Sequence, residues 1–203
     1  MGDFGTALVF FVTYLVIAFM RSGDFATVFL SVAGAALAGF LALTVKPYIK
    51  ARFAVWGHVW EDTANRGYQQ TRTMAAAASG GLFGSGAGKG WLKRIFAADT
   101  DLVFGMVAEE LGLVVALSCV LALVALVVYA WSNGKRARSS FYVIAACAAG
   151  TLMTLQAALN VLGSVDILPL TGVTFPFVSK GGTSLVTSFG LLAFIKEAQR
   201  EKD

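Results

Sequence analysis

Charge is scarce in this chain. Asp, Glu, Lys and Arg make up 14% of its 203 residues, against about 25% in an ordinary soluble domain. With 57% hydrophobic residues beside that shortage, it does not read as a water-soluble globule. Histidine is almost missing: His58 is the single one, which excludes a Ser-His-Asp or Cys-His nucleophile device. Cysteine is nearly as rare. Cys119 and Cys147 both fall inside apolar runs, where they read as packing residues and say nothing about redox compartment. No Cys/His cluster has zinc-like spacing and no Walker loop is present. The N-terminus lacks a basic segment and a small-residue cleavage site, so no cleaved signal peptide is expected.

What the chain does have is long uncharged runs: Phe4–Met20, Phe25–Val45, Leu111–Asn133, Ser139–Val165 and Gly181–Ile195. A membrane-spanning helix takes about 20 apolar residues, with a range of about 17–25. The runs predict an all-α, polytopic membrane helix bundle of about five spans, near residues 5–20, 25–45, 102–131, 140–164 and 182–196. Barrel strands would alternate apolar and polar over about ten residues, whereas these runs are continuously apolar. The last run is short, and Thr183 and Lys196 suit its membrane boundaries.

Strict alternation puts Arg21, Lys135, Arg136, Arg138, Lys196, Arg200 and Lys202 on one side. The positive-inside rule makes that side, with the C-terminus, cytoplasmic. The long segment 46–100 is then extracytoplasmic, although it too is basic: Lys46, Lys50, Arg52, Arg66, Arg72, Lys89, Lys93 and Arg94 stand against Glu61, Asp62 and Asp99. A basic excess on the outer side suits an anionic ligand, and equally a face that binds lipid headgroups. Within the segment, 68–90 reads as an interfacial or re-entrant helix followed by a glycine-rich turn, which is tolerable at membrane depth only where it lines a cavity or packs on protein.

Asp101 is the acid most suggestive of chemistry. It stands at the mouth of the third run, where the helix dipole favours an anion. It reads either as a cap and interface anchor or as a general base that takes a proton from a hydroxyl nucleophile. Asp99 is close enough to compete. Asp101, Gly105 and Glu109 recur at helical spacing, which predicts one shared face. Asp101 and Glu109 would then lie roughly 12 Å apart along the axis, too far for a paired-carboxylate device. Glu109 or Glu110 is expected to face a polar cavity or form an ion pair. Gln156 and Asn160 share a face of the fourth run and read as interhelical hydrogen-bonding residues. Ser179, Lys180, Gly181, Gly182 and Thr183 precede the last run. They read as an anion site at a helix N-terminus or as an ordinary cap.

Several stretches together resemble the SEDS family of RodA, FtsW and SpoVE: Asp3-Phe4-Gly5-Thr6-Ala7, Arg66-Gly67-Tyr68-Gln69, Ser79 to Gly86, Thr100-Asp101-Leu102-Val103-Phe104 with Glu109-Glu110-Leu111-Gly112, and Leu168-Pro169 through Gly181-Gly182-Thr183-Ser184. Their order and spacing agree over nearly the whole chain. Members of that family carry more spans than the five runs here, so the chain corresponds to a C-terminal half. The resemblance departs at Lys180, where the family often has Tyr, at Asp99, often a polar non-acidic residue, and at Gln70 and Arg72.

The resemblance implies a peptidoglycan glycosyltransferase of the bacterial cytoplasmic membrane. It would join lipid II units at the outer face, in elongation, division or sporulation, beside a class B penicillin-binding transpeptidase. Asp101 takes the position of the family's functional aspartate. Arg66, Gln69, Arg72, Lys89, Glu109, Ser179, Lys180, Gly181, Gly182 and Thr183 are the candidate contacts to lipid II and to undecaprenyl-pyrophosphate-linked glycan. A divalent cation, Mg or Mn, is a possible aid, with no dedicated metal site. Membrane lipids are expected partners and nucleic acid is not. The alternatives are a lipid-linked precursor flippase or transporter, and a non-catalytic scaffold of the cell-wall machinery.

Overall fold

The computed structural model describes residues 4–45, 53–134 and 139–200. Lys46, Lys50, Arg52, Lys135, Arg136, Arg138, Lys202 and Asp3 lie outside them. The described residues form helices and turns with no strand, as the continuous apolar runs predict. The helices are α1 (Phe4–Ser22), α2 (Phe25–Val45), α3 (Tyr68–Gly80), α4 (Val103–Leu111), α5 (Leu113–Gly134), α6 (Ser140–Ser164) and α7 (Gly182–Arg200). Among the described residues α1, α5 and α6 are long and apolar enough to cross a membrane, and α2 carries the shorter apolar stretch Phe25–Leu41.

α6 is the central post. It packs on α1, α5 and α7, and buries Ala146, Ala149, Gly150, Met153 and Ala157 along its length. Small residues there let neighbouring backbones approach closely, the usual basis of helix association in lipid. Ala130, Ala149, Met153 and Ile195 tie α5, α6 and α7 together. Val9, Leu159 and Val173 tie α1 and α6 to the loop before α7. α2 contacts α1 and keeps Phe29 and Phe40 exposed.

One expectation is corrected. The third run is not a single helix over 102–131. It breaks at Gly112, whose φ of +91° no helix accommodates, into the nine-residue α4 and the longer α5. The break is sealed by the glycine-rich turn after α3. Ser85 N and Gly86 N donate to the carbonyls of Glu109 and Glu110 at the end of α4 (2.9 and 3.0 Å). Leu113 N and Val114 N at the start of α5 donate to the carbonyls of Gly81 and Leu82 (3.0 and 3.3 Å). A broken helix in a membrane needs such partners, because an unsatisfied backbone group there costs several kcal/mol. A helix begins at Tyr68 as expected and forms α3, packed on α4. A Cβ on Gly80 would stand 2.2 Å from the Ala108 carbonyl oxygen, so this crossing requires glycine.

Two long connections meet at one end of the bundle. α1 begins there, the 53–102 segment folds over it, and the 165–181 loop returns to it. Trp56 Nε1 donates to the Ile167 carbonyl (3.0 Å) and Gly57 N to Asp166 Oδ1 (3.2 Å), which fastens the two loops to each other.

Candidate active site around Asp101

Asp101 sits in a tight turn, two residues before α4, whose N-cap is Leu102. It is therefore not on the helix, and the expected shared face with Gly105 and Glu109 does not form. The turn winds on one carbonyl. Ala97 O accepts from Thr100 N, Asp101 N and Leu102 N (3.3, 2.9 and 3.4 Å). Ala97 itself has a φ of +60°, a left-handed conformation that is uncommon outside glycine. Asp166 and Phe177 are the other non-glycine residues with positive φ among the described residues. Both belong to the 165–181 loop.

The 165–181 loop grips that turn at several points. Ser179 Oγ donates to the Thr100 carbonyl at 2.6 Å and accepts from Phe175 N at 2.8 Å. Lys180 N donates to the Asp99 carbonyl at 2.8 Å. Asn160 Nδ2, on α6, donates to the Asp101 carbonyl at 3.0 Å and to the Val173 carbonyl at 2.8 Å. The Asp101 carboxylate lies against Gly172. A Cβ on Gly172 would come 3.1 Å from Asp101 Oδ2, and its φ of +74° also favours glycine.

The remaining candidates fall into three groups. Lys180 pairs with Asp99, two residues before Asp101, Nζ to Oδ2 at 3.2 Å. The lysine side chain is 82% exposed, so it is free to leave that partner. Gly181 and Gly182 open α7, the Gly181 carbonyl accepting Leu185 N at 2.9 Å, and Thr183 is exposed in its first turn. Ser179, by contrast, is buried, with its hydroxyl committed to the two backbone groups already given.

Arg66, Gln69 and Arg72 form a second group around the start of α3. Gln69 Nε2 reaches the Phe96 carbonyl at 3.0 Å, next to Ala97. The Arg72 guanidinium lies 5.3 Å from the centre of the Tyr68 ring. Arg66 is exposed, its backbone N–H held by Asp62 Oδ2 at 3.3 Å.

Lys89 and Glu109 belong to the far end of α3. Glu109 is 1% exposed. Its carboxylate accepts Trp91 N at 2.8 Å and Leu92 N at 3.0 Å. Its neighbour Glu110 accepts Gly88 N and Gly90 N (2.8 and 3.2 Å). The two acids hold the glycine-rich turn in place of the ion pair anticipated for them. Lys89 is exposed in that turn, its methylenes beside Gly86. α3 spans about 18 Å at 1.5 Å per residue, which separates this pair from the group around Arg66.

Sequence reasoning missed the link from Asn160 to Asp101. It also missed Gln70, whose Nε2 donates to the Gly163 carbonyl (2.9 Å) and to Asp166 Oδ1 (3.4 Å) and so ties α3 to α6. For Asn160 the available signal was a polar side chain inside an apolar helix, whereas Gln70 lies among other polar residues at the start of α3. Its partners are far away in sequence. Among the described residues no group of three or more His, Cys, Asp or Glu side chains converges as a metal site. The acid nearest Asp101 in sequence, Asp99, is turned to Lys180.

Comparison with known proteins bears on this geometry. The FtsW/RodA/SpoVE family, described as cell cycle protein, matches residues 1–203. The chain is 28% identical over 193 residues to the peptidoglycan glycosyltransferase RodA of Mycobacterium tuberculosis strain H37Rv, covering 95% of this chain and 41% of that protein. It is 33% identical over 190 residues to the probable peptidoglycan glycosyltransferase FtsW of Moranella endobia, covering 91% and 50%. Thus the chain spans about half the length of such relatives. A solved structure described as "Structural coordination of polymerization and crosslinking by a peptidoglycan synthase complex" contains a chain of the same fold. Its TM-score is 0.72 at 22% identity, over 98% of this chain and 56% of that one.

Proposed function

Because the chain belongs to the FtsW/RodA/SpoVE family, we propose that it is the part of a peptidoglycan glycosyltransferase that carries the general base, and that Asp101 is that base. The observation that carries the reading is the setting of Asp101. It is an acid in a turn that follows a left-handed Ala97, its carboxylate against Gly172, and two residues from Asp99, which pairs with an exposed lysine.

The chemistry needs these parts. The Asp101 carboxylate accepts the proton of the acceptor GlcNAc 4-hydroxyl in a lipid II molecule. The freed oxygen forms a bond to the anomeric carbon of the donor MurNAc. The anomeric carbon–phosphate oxygen bond breaks, and undecaprenyl pyrophosphate leaves with that electron pair. A positioned general base is worth about 10²–10⁴-fold. Charge grows on the leaving diphosphate, so cations and N–H groups preorganised there lower the barrier. Lys180, free to exchange Asp99 for phosphate, and the α7 N-terminus with Gly181, Gly182 and Thr183 are the first contacts. Arg66, Gln69 and Arg72 are the outer ones.

This reading places the 53–102 segment and the 165–181 loop on the outer face of the bacterial membrane, with the C-terminus inside. It pairs the protein with a class B penicillin-binding transpeptidase, in keeping with the polymerisation and crosslinking named for the structural relative. Polymerisation of purified lipid II by the intact protein tests it. Asp101→Ala is expected to lower the rate at least about a hundredfold. Polymerisation at the wild-type rate by Asp101→Ala would overturn the assignment. Movement of lipid II across vesicles without any polymer would favour a transporter instead.

A further inference from the structure

We propose that Asn160 is a positioning residue for Asp101, an inference that rests on the reading of Asp101 as the base. Asn160 lies one turn before the end of α6 and is 1% exposed. Burying a side-chain amide in an apolar helix is costly unless its hydrogen bonds are made. Here they are made unequally. The NH2 group is fully used, on the carbonyls of Asp101 and Val173, while the buried Oδ1 has no hydrogen-bond partner. Both acceptors are outside helices. One amide thus binds the backbone of the acid to the backbone of the loop facing it.

Ser179 makes the matching staple from the loop. It holds the carbonyl of Thr100 while it accepts Phe175 N. The consecutive carbonyls of Thr100 and Asp101 are therefore held by two buried side chains from two different elements. Between the staples, Gly172 leaves room for the carboxylate. Fixing the peptide on both sides of residue 101 sets where its Cα–Cβ bond aims. No other side chain of that shape does this: Asp has no donor when ionised, Leu has none at all, and Ser offers a single one. Asn160 need not touch substrate. It acts by aiming Asp101.

The test is steady-state polymerisation of fluorescent lipid II by the intact protein in detergent or vesicles, with Asn160→Ala and the near-isosteric Asn160→Asp. A catalytic group displaced by about 1 Å loses about a hundredfold in rate. The expected result is therefore a kcat about a hundredfold lower per folded molecule, with KM within about threefold of wild type, since a group acting only in the transition state leaves binding alone. A merely structural amide would lower the yield of folded protein and leave kcat per folded molecule unchanged. That outcome, or a loss carried by KM, overturns the proposal. Should neither variant fold, Gly172→Ala presses on the same carboxylate from the loop. Unchanged kcat in that variant would then overturn it. Asp101→Ala, measured in parallel, separates the two claims. If it polymerises as well as wild type, the base assignment fails. If it is inactive while the Asn160 variants are fully active, positioning by Asn160 alone fails.

Discussion

Asp99 and Lys180 form an ion pair in which the lysine is largely exposed and the acid about half so. Exposed pairs of this kind contribute about 0–1 kcal/mol and weaken with salt. Lys180→Ala is therefore expected to change thermal stability by less than about 1 kcal/mol yet to raise the KM for lipid II. A stability loss with unchanged KM would show that the pair is only a strut. Ala97 offers the opposite case. Its left-handed φ of +60° costs an alanine about 1–2 kcal/mol, so Ala97→Gly should leave stability unchanged or raise it slightly, read as the unfolding midpoint. Asp62 shows how a small turn sets a titration. The Asn65 side-chain amide, Nδ2 to Oδ1 at 2.8 Å, holds this carboxyl below its ordinary range. A depressed acid stabilises the fold above its unfolded pKa and loses that contribution as pH falls through the folded one. Any effect of Asn65→Ala should thus be present at neutral pH and vanish in acid.

At the scale of elements, the junction of α4 and α5 was the least legible feature. Glu109 and Glu110 stand just before Leu111-Gly112-Leu113, yet the helical spacing of Asp101, Gly105 and Glu109 runs straight into the apolar stretch, so the pattern joins the two helices. The structure separates them because Gly112 turns the chain and the glycine-rich segment supplies the missing hydrogen-bond partners. Long apolar runs themselves were legible, since lipid demands continuity and the pattern needs no tertiary partner. Asp101 and the Ser179–Thr183 stretch were legible as charged or polar residues at helix mouths. The Asn160 link was not, since it joins residues 59 apart in sequence. The junction predicts sharp contrasts between glycines. A Cβ at Gly112 would meet Leu82 O at 2.3 Å and Gly84 N at 2.6 Å, whereas at Gly34 and Gly39 on α2 nothing lies within 4 Å. Gly112→Ala should reduce folded yield and stability by at least about 1–3 kcal/mol. Gly34→Ala should be neutral or stabilising by about 0.5–1 kcal/mol. Glu109→Ala should rank with Gly112→Ala, because it strands two backbone N–H groups at a buried site, each worth about 1–3 kcal/mol.

Across the whole molecule, one end of the bundle carries Asp101, Lys180, the start of α7 and the glycine-rich turn, while the helices behind them are apolar. That polarity predicts sidedness. A cysteine replacing Lys89, which is exposed, should react with a membrane-impermeant maleimide on intact cells, and one replacing Glu197 near the other end should not. Labelling at Glu197 alone would invert the topology and remove Asp101 from the outer leaflet. The central claim is that the Asp101 carboxylate takes the proton from the attacking sugar hydroxyl, and the most direct measurement is single-turnover polymerisation of lipid II by Asp101→Asn. The amide keeps the size of the side chain and lacks the basic oxygen. Lipid II should bind with near wild-type affinity while the bond-forming step slows by at least about a hundredfold. A bond-forming rate equal to wild type in that variant would contradict the account.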